Sequence, residues 1–240
     1  MGEEMNIKIQ GAVVFVTGAN GGLGQEFVKQ ALDRGASKVY ATARTPRTWD
    51  DPRVVPLALD VTDVASIQAA ATAASDTTIL VNNAGIYTHG DLITQGTIED
   101  IRRMFETNFF GAVMVGRAFA PIVGVNGGGA FLNVHSALSW AGYAGAYSAT
   151  KAALWSATNS FRLELASQGT HVVGLHMGYV DTPMVAVVDA PKSSPTDIVA
   201  AGYDGIESGA YEVIADEMAR VTKQGLSGPI EEMYAELSRN

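Results

Sequence analysis

Short apolar runs alternate with amphipathic stretches along most of the chain, and that alternation restricts the fold more than any other feature. The runs Gly11–Val16, Lys38–Thr42, Val54–Leu59, Thr78–Val81, Ala130–Val134 and His171–His176 read as strands. Helical patterns fall between them, at Gln25–Arg34, at Val64–Ala74, from Thr97 to about Val123 with a break near Phe109–Gly111, and at Ala146–Ala166. From Pro195 onward the pattern is helical, broken at Gly225-Leu226-Ser227-Gly228-Pro229, with a short amphipathic tail to Leu237. No final strand is expected after the helix that ends near Gln224. Alternation of this kind means a parallel sheet covered on both faces. The expected fold is therefore α/β, a three-layer doubly wound parallel sheet of Rossmann type. At 240 residues it forms a single domain over 11–240, after an N-terminal tail at 1–10.

Doubly wound sheets bind ligands at the carboxyl ends of their strands. The tips to inspect are Thr17–Gly24, Thr42–Thr45, Asp60–Val61, Asn82–Gly85, Val134–Ser139 and Met177–Thr182. The first places Gly18, Gly22 and Gly24 between a strand and a helix. Without side chains there, the backbone turns tightly and a pyrophosphate can approach the amides of the helix start. The spacing is not Gly-x-Gly-x-x-Gly, because the third position after Gly24 is Phe27. An ordinary glycine turn is the plain alternative.

Tyr147 and Lys151 stand four residues apart in a helical stretch, hence on one face, one turn from each other. A phenol with pKa ~10 exchanges protons poorly at neutral pH, and a neighbouring ammonium favours the phenolate. Lowering the phenol to neutrality takes about three units, or roughly 4 kcal/mol. Ser136, eleven residues before the tyrosine, offers a hydroxyl hydrogen bond. Alone, such a pair is common on helices; its weight comes from the glycine turn in the same chain.

Together, Thr17-Gly18-(x)3-Gly22-x-Gly24, Asn82-Asn83-Ala84-Gly85, Ser136 and Tyr147-(x)3-Lys151 resemble the short-chain dehydrogenase/reductase family, in its order and close to its spacing. The resemblance covers Gly11 to about Thr182. It implies a nicotinamide cofactor and a catalytic set of Ser136, Tyr147, Lys151 and Asn108, the last holding a water that relays protons through Lys151. It also implies cofactor contacts at Thr17, Gly18, Asn20, Gly22, Leu23, Gly24, Asn83, Ala84 and Gly85, with Tyr147 and Lys151 near the nicotinamide ribose. Asp60 and Val61 resemble the family's adenine contact, although an Asp after a strand is often only a helix cap. Met177-Gly178-Tyr179-Val180-Asp181-Thr182 resembles the family's nicotinamide-carboxamide turn, with Met177 where a proline is usual, and implicates Gly178, Val180 and Thr182. Ser139 shares the loop of Ser136 but fits the family spacing less well. The second tip, Ala41-Thr42-Ala43-Arg44-Thr45, has no acidic residue for a ribose 2′-hydroxyl, while Arg44 suits a 2′-phosphate. NADP(H) is expected first and NAD(H) second.

The expected activity interconverts a ketone or aldehyde and an alcohol by hydride transfer. Leu138, Trp140, Tyr143, Met184, Val185 and Val188 cluster on the loops that should cover the site, so the substrate is expected to be an apolar or aromatic carbonyl. A lid is expected at about 183–225. The alternatives are a non-catalytic NADP(H)-binding sensor and a sugar-nucleotide epimerase, for which the chain after Thr182 is too short. A formal charge of −9 disfavours nucleic acid. With no cysteine, thiolate metal sites are ruled out, and the four histidines show no ligand spacing. Met1–Gln10 lacks the apolar core of a secretion signal, and the apolar run Phe109–Val125 carries Arg117 and Pro121, so no membrane span is expected. A cytoplasmic location is the default. A homo-oligomer is expected, a dimer before a tetramer, pairing the helices around Asn108–Val123 and Ala146–Ala166 across a two-fold axis.

Overall fold

The computed structural model describes residues 7–88 and 93–238. Seven parallel strands form one sheet: β1 (Val13–Thr17), β2 (Lys38–Ala43), β3 (Val54–Ala58), β4 (Ile79–Asn82), β5 (Gly129–Val134), β6 (Thr170–His176) and β7 (Glu212–Ile214). Their spatial order is β3-β2-β1-β4-β5-β6-β7, so the direction of winding reverses between β1 and β4. The register across that reversal pairs Val14 with Val39 on one side and with Ile79 on the other.

Among the described residues the α-helices are α1 (Leu23–Asp33), α2 (Val64–Ala73), α3 (Ile98–Phe105), α4 (Ala112–Val125), α5 (Ala146–Leu165), α6 (Pro195–Glu207), α7 (Glu217–Gly225) and α8 (Ile230–Met233). Strand alternation divides the apolar side chains between two layers. Val14, Val16, Ile79, Val81, Leu132 and Leu175 meet Phe27 and Val28 of α1 and Ile198 and Tyr203 of α6. Phe15, Leu80 and Phe131 meet Ile67 of α2, Val115 and Phe119 of α4 and Phe161 of α5 on the other face.

The break expected near Phe109–Gly111 is a π-helical turn, Glu106–Gly111, joining α3 to α4. By length and composition, Ile98–Val125 is apolar enough to cross a membrane. Its Met104 is instead fully buried, as are Val115, Phe119 and Val123, through which α4 packs on the sheet.

Three expectations need correction. A seventh strand exists: β7 pairs with β6 through Gly174↔Glu212 to His176↔Ile214. It lies before α7, inside the stretch read as helical, because three residues are too few to show a strand period. Second, 183–225 is not a lid as a whole. Ile198, Val199, Tyr203 and Ile206 of α6 are core residues and β7 belongs to the sheet, so of this stretch Pro183, Met184, Val185, Val188 and Met218 line the cavity. Third, the tail is shorter than 1–10: Ile9 is fully buried in the core, and its N–H donates to Glu207 Oε1 at 3.2 Å.

Candidate active site

The tips of β1, β4, β5 and β6 surround a cavity of about 430 Å3. At the first tip, Gly18 (φ 69°) and Gly22 (φ 50°) adopt the left-handed backbone that glycine tolerates. Gly24 is required by contact rather than by φ, since a Cβ on it would lie 2.0 Å from the Gly18 carbonyl oxygen. Helix α1 starts from Gly22 with no side-chain cap, leaving its first amides free of a side-chain acceptor.

Thr17 and Asn83 lock the first tip to the fourth strand. Thr17 Oγ1 accepts the N–H groups of Asn83 and Ala84, each at 2.9 Å, and Asn83 Nδ2 donates to Thr17 O at 2.9 Å and Gly18 O at 3.2 Å. Asn20 reaches the second tip: its amide donates to Thr45 O at 2.7 Å and accepts Arg47 N–H at 3.3 Å. Arg44 is exposed there. Asp60 accepts the N–H and the hydroxyl of Thr62 at 2.9 and 2.7 Å, which holds its carboxyl below the usual range. Val61 packs against Gly111, so closely that a Cβ on the glycine would lie 2.8 Å from it.

Helix α5 begins at Gly145 (φ 52°) and carries Tyr147 in its first turn and Lys151 a turn later. Both line the cavity with Ser136. Ser136 Oγ accepts Leu138 N–H at 3.1 Å, which leaves its own proton to donate into the cavity. Ser139 Oγ closes a capping box by accepting Ser136 N–H at 3.4 Å, so it supports Ser136 from behind. Lys151 Nζ is buried and donates to Val134 O at 2.9 Å; burial pulls its pKa down to about 8. The half-buried Tyr147 has its phenol raised above the ordinary value, by burial first and by Tyr87 second. The expected lowering of Tyr147 by Lys151 is therefore not what this arrangement gives. The ammonium bonds to the end of β5 and lies 5.7 Å from the centre of the Tyr147 ring.

Asn108 sits in the π-helical turn, buried. Its Oδ1 accepts Ile86 N–H at 2.8 Å, and its Nδ2 donates to Ile86 O at 2.9 Å and Thr150 Oγ1 at 3.2 Å. Thr150 in turn donates to Tyr147 O at 2.7 Å. The asparagine thus links the β4 tip to the turn carrying the tyrosine without itself lining the cavity.

Of the expected cofactor contacts, Gly18, Gly22, Leu23, Asn83, Ala84, Gly85, Gly178, Val180 and Thr182 line the cavity. Thr17, Asn20, Gly24, Arg44, Thr45, Asp60 and Val61 lie outside its lining. Leu138, Tyr143, Met184, Val185 and Val188 form an apolar wall. Trp140 does not belong to it. Its ring stacks on His176 at 4.1 Å and packs beside Ala137 and Ala219, because the residues after Ser136 turn it inward. Tyr87 and Met218 line the cavity and were missed. Tyr87 meets Tyr147 edge to face at 5.2 Å, and no spacing in the sequence announces that pairing. Among the described residues, no group of three or more His, Asp or Glu could hold a metal ion.

Comparison with known proteins matches residues 12–193 to the family model described as short chain dehydrogenase. A crystal structure of a short chain dehydrogenase from Burkholderia cenocepacia in complex with NADP superposes with TM-score 0.90 at 37% identity, covering 96% of this chain and 99% of that one. The NADPH-bound carbonyl reductase from chicken fatty liver gives TM-score 0.77 at 25% identity, covering 88% and 96%. The 3-oxoacyl-(acyl-carrier-protein) reductase FabG of Vibrio harveyi is 30% identical over 237 residues, 92% of this chain and 96% of its own length.

Proposed function

The chain belongs to the short-chain dehydrogenase family, and from that premise we propose that it is an NADP(H)-dependent oxidoreductase interconverting an apolar or aromatic ketone or aldehyde with its alcohol. The observation that carries this reading is one cavity shared by the glycine tip and the Ser136–Tyr147–Lys151 group, with an apolar wall of Leu138, Tyr143, Met184, Val185 and Val188.

The residues fit a nicotinamide dinucleotide. The uncapped start of α1 at Gly22 suits a pyrophosphate, and the missing side chain of Gly24 lets that helix start sit close against Gly18. Arg44 and Thr45 would hold the 2′-phosphate, Asp60 and Val61 the adenine, and Gly178, Val180 and Thr182 the nicotinamide end. Bound there, the nucleotide supplies or accepts the hydride. NADP(H) is the preferred form and NAD(H) the second. NADP and NADPH in the Burkholderia and chicken structures support that choice.

Ser136 donates its free proton to the substrate oxygen and Tyr147 transfers the proton that completes the alcohol. Both counter charge on that oxygen in the transition state. Lys151 places a positive charge beside the phenol, and Asn108 steadies the turn that carries it. The relay of protons from Lys151 toward solvent past Asn108 belongs to the same proposal. The segment Pro183–Val188 serves as a small lid. Exposed Phe110 and Leu163 on the outer faces around α4 and α5 support a dimer across those helices, with a tetramer as the second choice.

Steady-state reduction of a panel of alkyl and aryl ketones and aldehydes, with NADPH and NADH side by side, tests the reading. Turnover of apolar carbonyls with NADPH favoured is the expected result. Tight NADPH binding with no turnover across the panel would favour a sensor instead.

A further inference from the structure

The loop after β6 lines the cavity through Met177, Gly178, Tyr179, Val180 and Thr182. One edge of it is held by a short ladder: Asp181 N–H donates to Ser193 O at 3.0 Å, and Ser193 N–H donates to Tyr179 O at 2.8 Å. A second hold comes from 38 residues further along the chain. Asp216 Oδ2 accepts Gly178 N–H at 2.7 Å and the Ser193 hydroxyl at 3.1 Å, while Oδ1 accepts Ala219 N–H at 2.9 Å.

An N-cap needs only one oxygen. Thr97 and Ser194 cap α3 and α6 with a single hydroxyl each. Asp216 caps α7 with one oxygen and directs the other away from the helix, onto the loop and the strand-like return at Ser193. The start of α7 interlocks with the same loop through Met218, which also lines the cavity. A Cβ on Gly178 would lie 2.7 Å from the Met218 sulfur.

We infer that Asp216 is a positioning residue for the nicotinamide end of the cofactor site, acting through Gly178 rather than by touching the nucleotide. The inference rests on the reading above, which gives Gly178, Val180 and Thr182 that role. One carboxylate joins the loop, its return segment and the cap of α7. Its anionic acceptor makes the bond to Gly178 stronger than a neutral one.

The test compares two ligands on the intact chain by fluorescence titration. NADPH carries the nicotinamide ring; 2′-phospho-ADP-ribose shares its adenine and pyrophosphate but lacks the ring. Asp216→Ser retains an N-cap oxygen but is too short to reach Gly178 as well. In this variant the Kd for NADPH is expected to rise about tenfold, the scale of one charge-assisted hydrogen bond. The Kd for 2′-phospho-ADP-ribose should stay within about twofold on the same argument. An unchanged NADPH affinity, or equal weakening of both ligands, overturns the assignment. Should Asp216→Ser not fold, Asp216→Asn decides by the same two ligands, since it retains the cap and the side-chain volume. A wild-type protein that binds neither ligand would sink the cofactor reading itself, and the role of Asp216 with it.

Discussion

The Lys151 ammonium lies 5.7 Å from the centre of the Tyr147 ring while it donates to Val134 O at 2.9 Å. An ammonium near a phenol favours the phenolate. Burial acts in the opposite direction and prevails, so Tyr147 is protonated at neutral pH. A protonated phenol beside a buried cation is prepared to give a proton, which suits carbonyl reduction.

Replacing Tyr147 by Phe removes that proton and retains the ring. The expected loss in kcat is roughly 10²–10⁴-fold, the usual scale for a general acid. NADPH affinity should change little. Steady-state rates and a nucleotide titration check both, and wild-type turnover in the variant would refute the assignment.

Lys151 is held at about 8, below its ordinary value, so the folded protein loses this charge as pH rises through about 8. If the cation assists proton transfer, kcat/KM for carbonyl reduction should fall above that pH and level off below it. A profile of kcat/KM between about pH 6 and 10 would show the limb. In Lys151→Met the limb should vanish along with most of the rate.

Two glycines at the first tip should respond in opposite ways. A Cβ at Gly24 meets the Gly18 carbonyl oxygen at 2.0 Å, whereas one at Gly21 meets nothing within 4 Å. Gly24→Ala is expected to lose several degrees of Tm and most nucleotide affinity, because backbone must move. Gly21→Ala should leave Tm nearly unchanged. Thermal melts with and without NADPH distinguish them.

Arg44 governs nucleotide choice in the proposed function. Arg44→Ala should weaken NADPH relative to NADH by about 10–100-fold in kcat/KM, the range of one charged hydrogen-bond pair. A ratio that does not move would place discrimination elsewhere.

Two buried histidines make the fold sensitive to acid. His135 and His176 stack at 4.6 Å; burial depresses both, His135 well below its usual value and His176 to about 3. Their folded values lie below the unfolded one near 6.5, so the unfolded chain takes up protons first as pH falls. Stability is complete above about 6.5 and declines as pH drops toward the folded values, by roughly 2 kcal/mol at pH 5 for His176 alone. Tm should fall steeply between about pH 7 and 5, and the slope should lessen in His176→Gln.

How far the sequence was readable depended on the range of each interaction. The glycine tip, the tyrosine–lysine spacing and the alternation of strand and helix are local patterns, and each took its expected place. Strand β7 escaped because Glu212–Ile214 is only three residues long and lies between two helices. Trp140 was misplaced because an aromatic beside Ser136 suits a pocket wall and a core equally well; only its stack on His176 decides. The tyrosine pKa went the other way because burial is set by the whole fold. Nothing in the sequence singles out Asp216, since Gly178, the partner of its second oxygen, lies on another element.

The π-helical turn at Glu106–Gly111 has a consequence for protein engineering. A π turn is an α-helix with one residue inserted. The wider turn takes up that residue locally, so deleting it would restore regular winding while α4 kept its face toward the sheet. Val115 and Phe119 would stay against the sheet, whereas Asn108, inside the turn, would lose its grip on Ile86. Loop grafts or chimeras that cross this stretch must therefore conserve its residue count, even where they are free to change its composition.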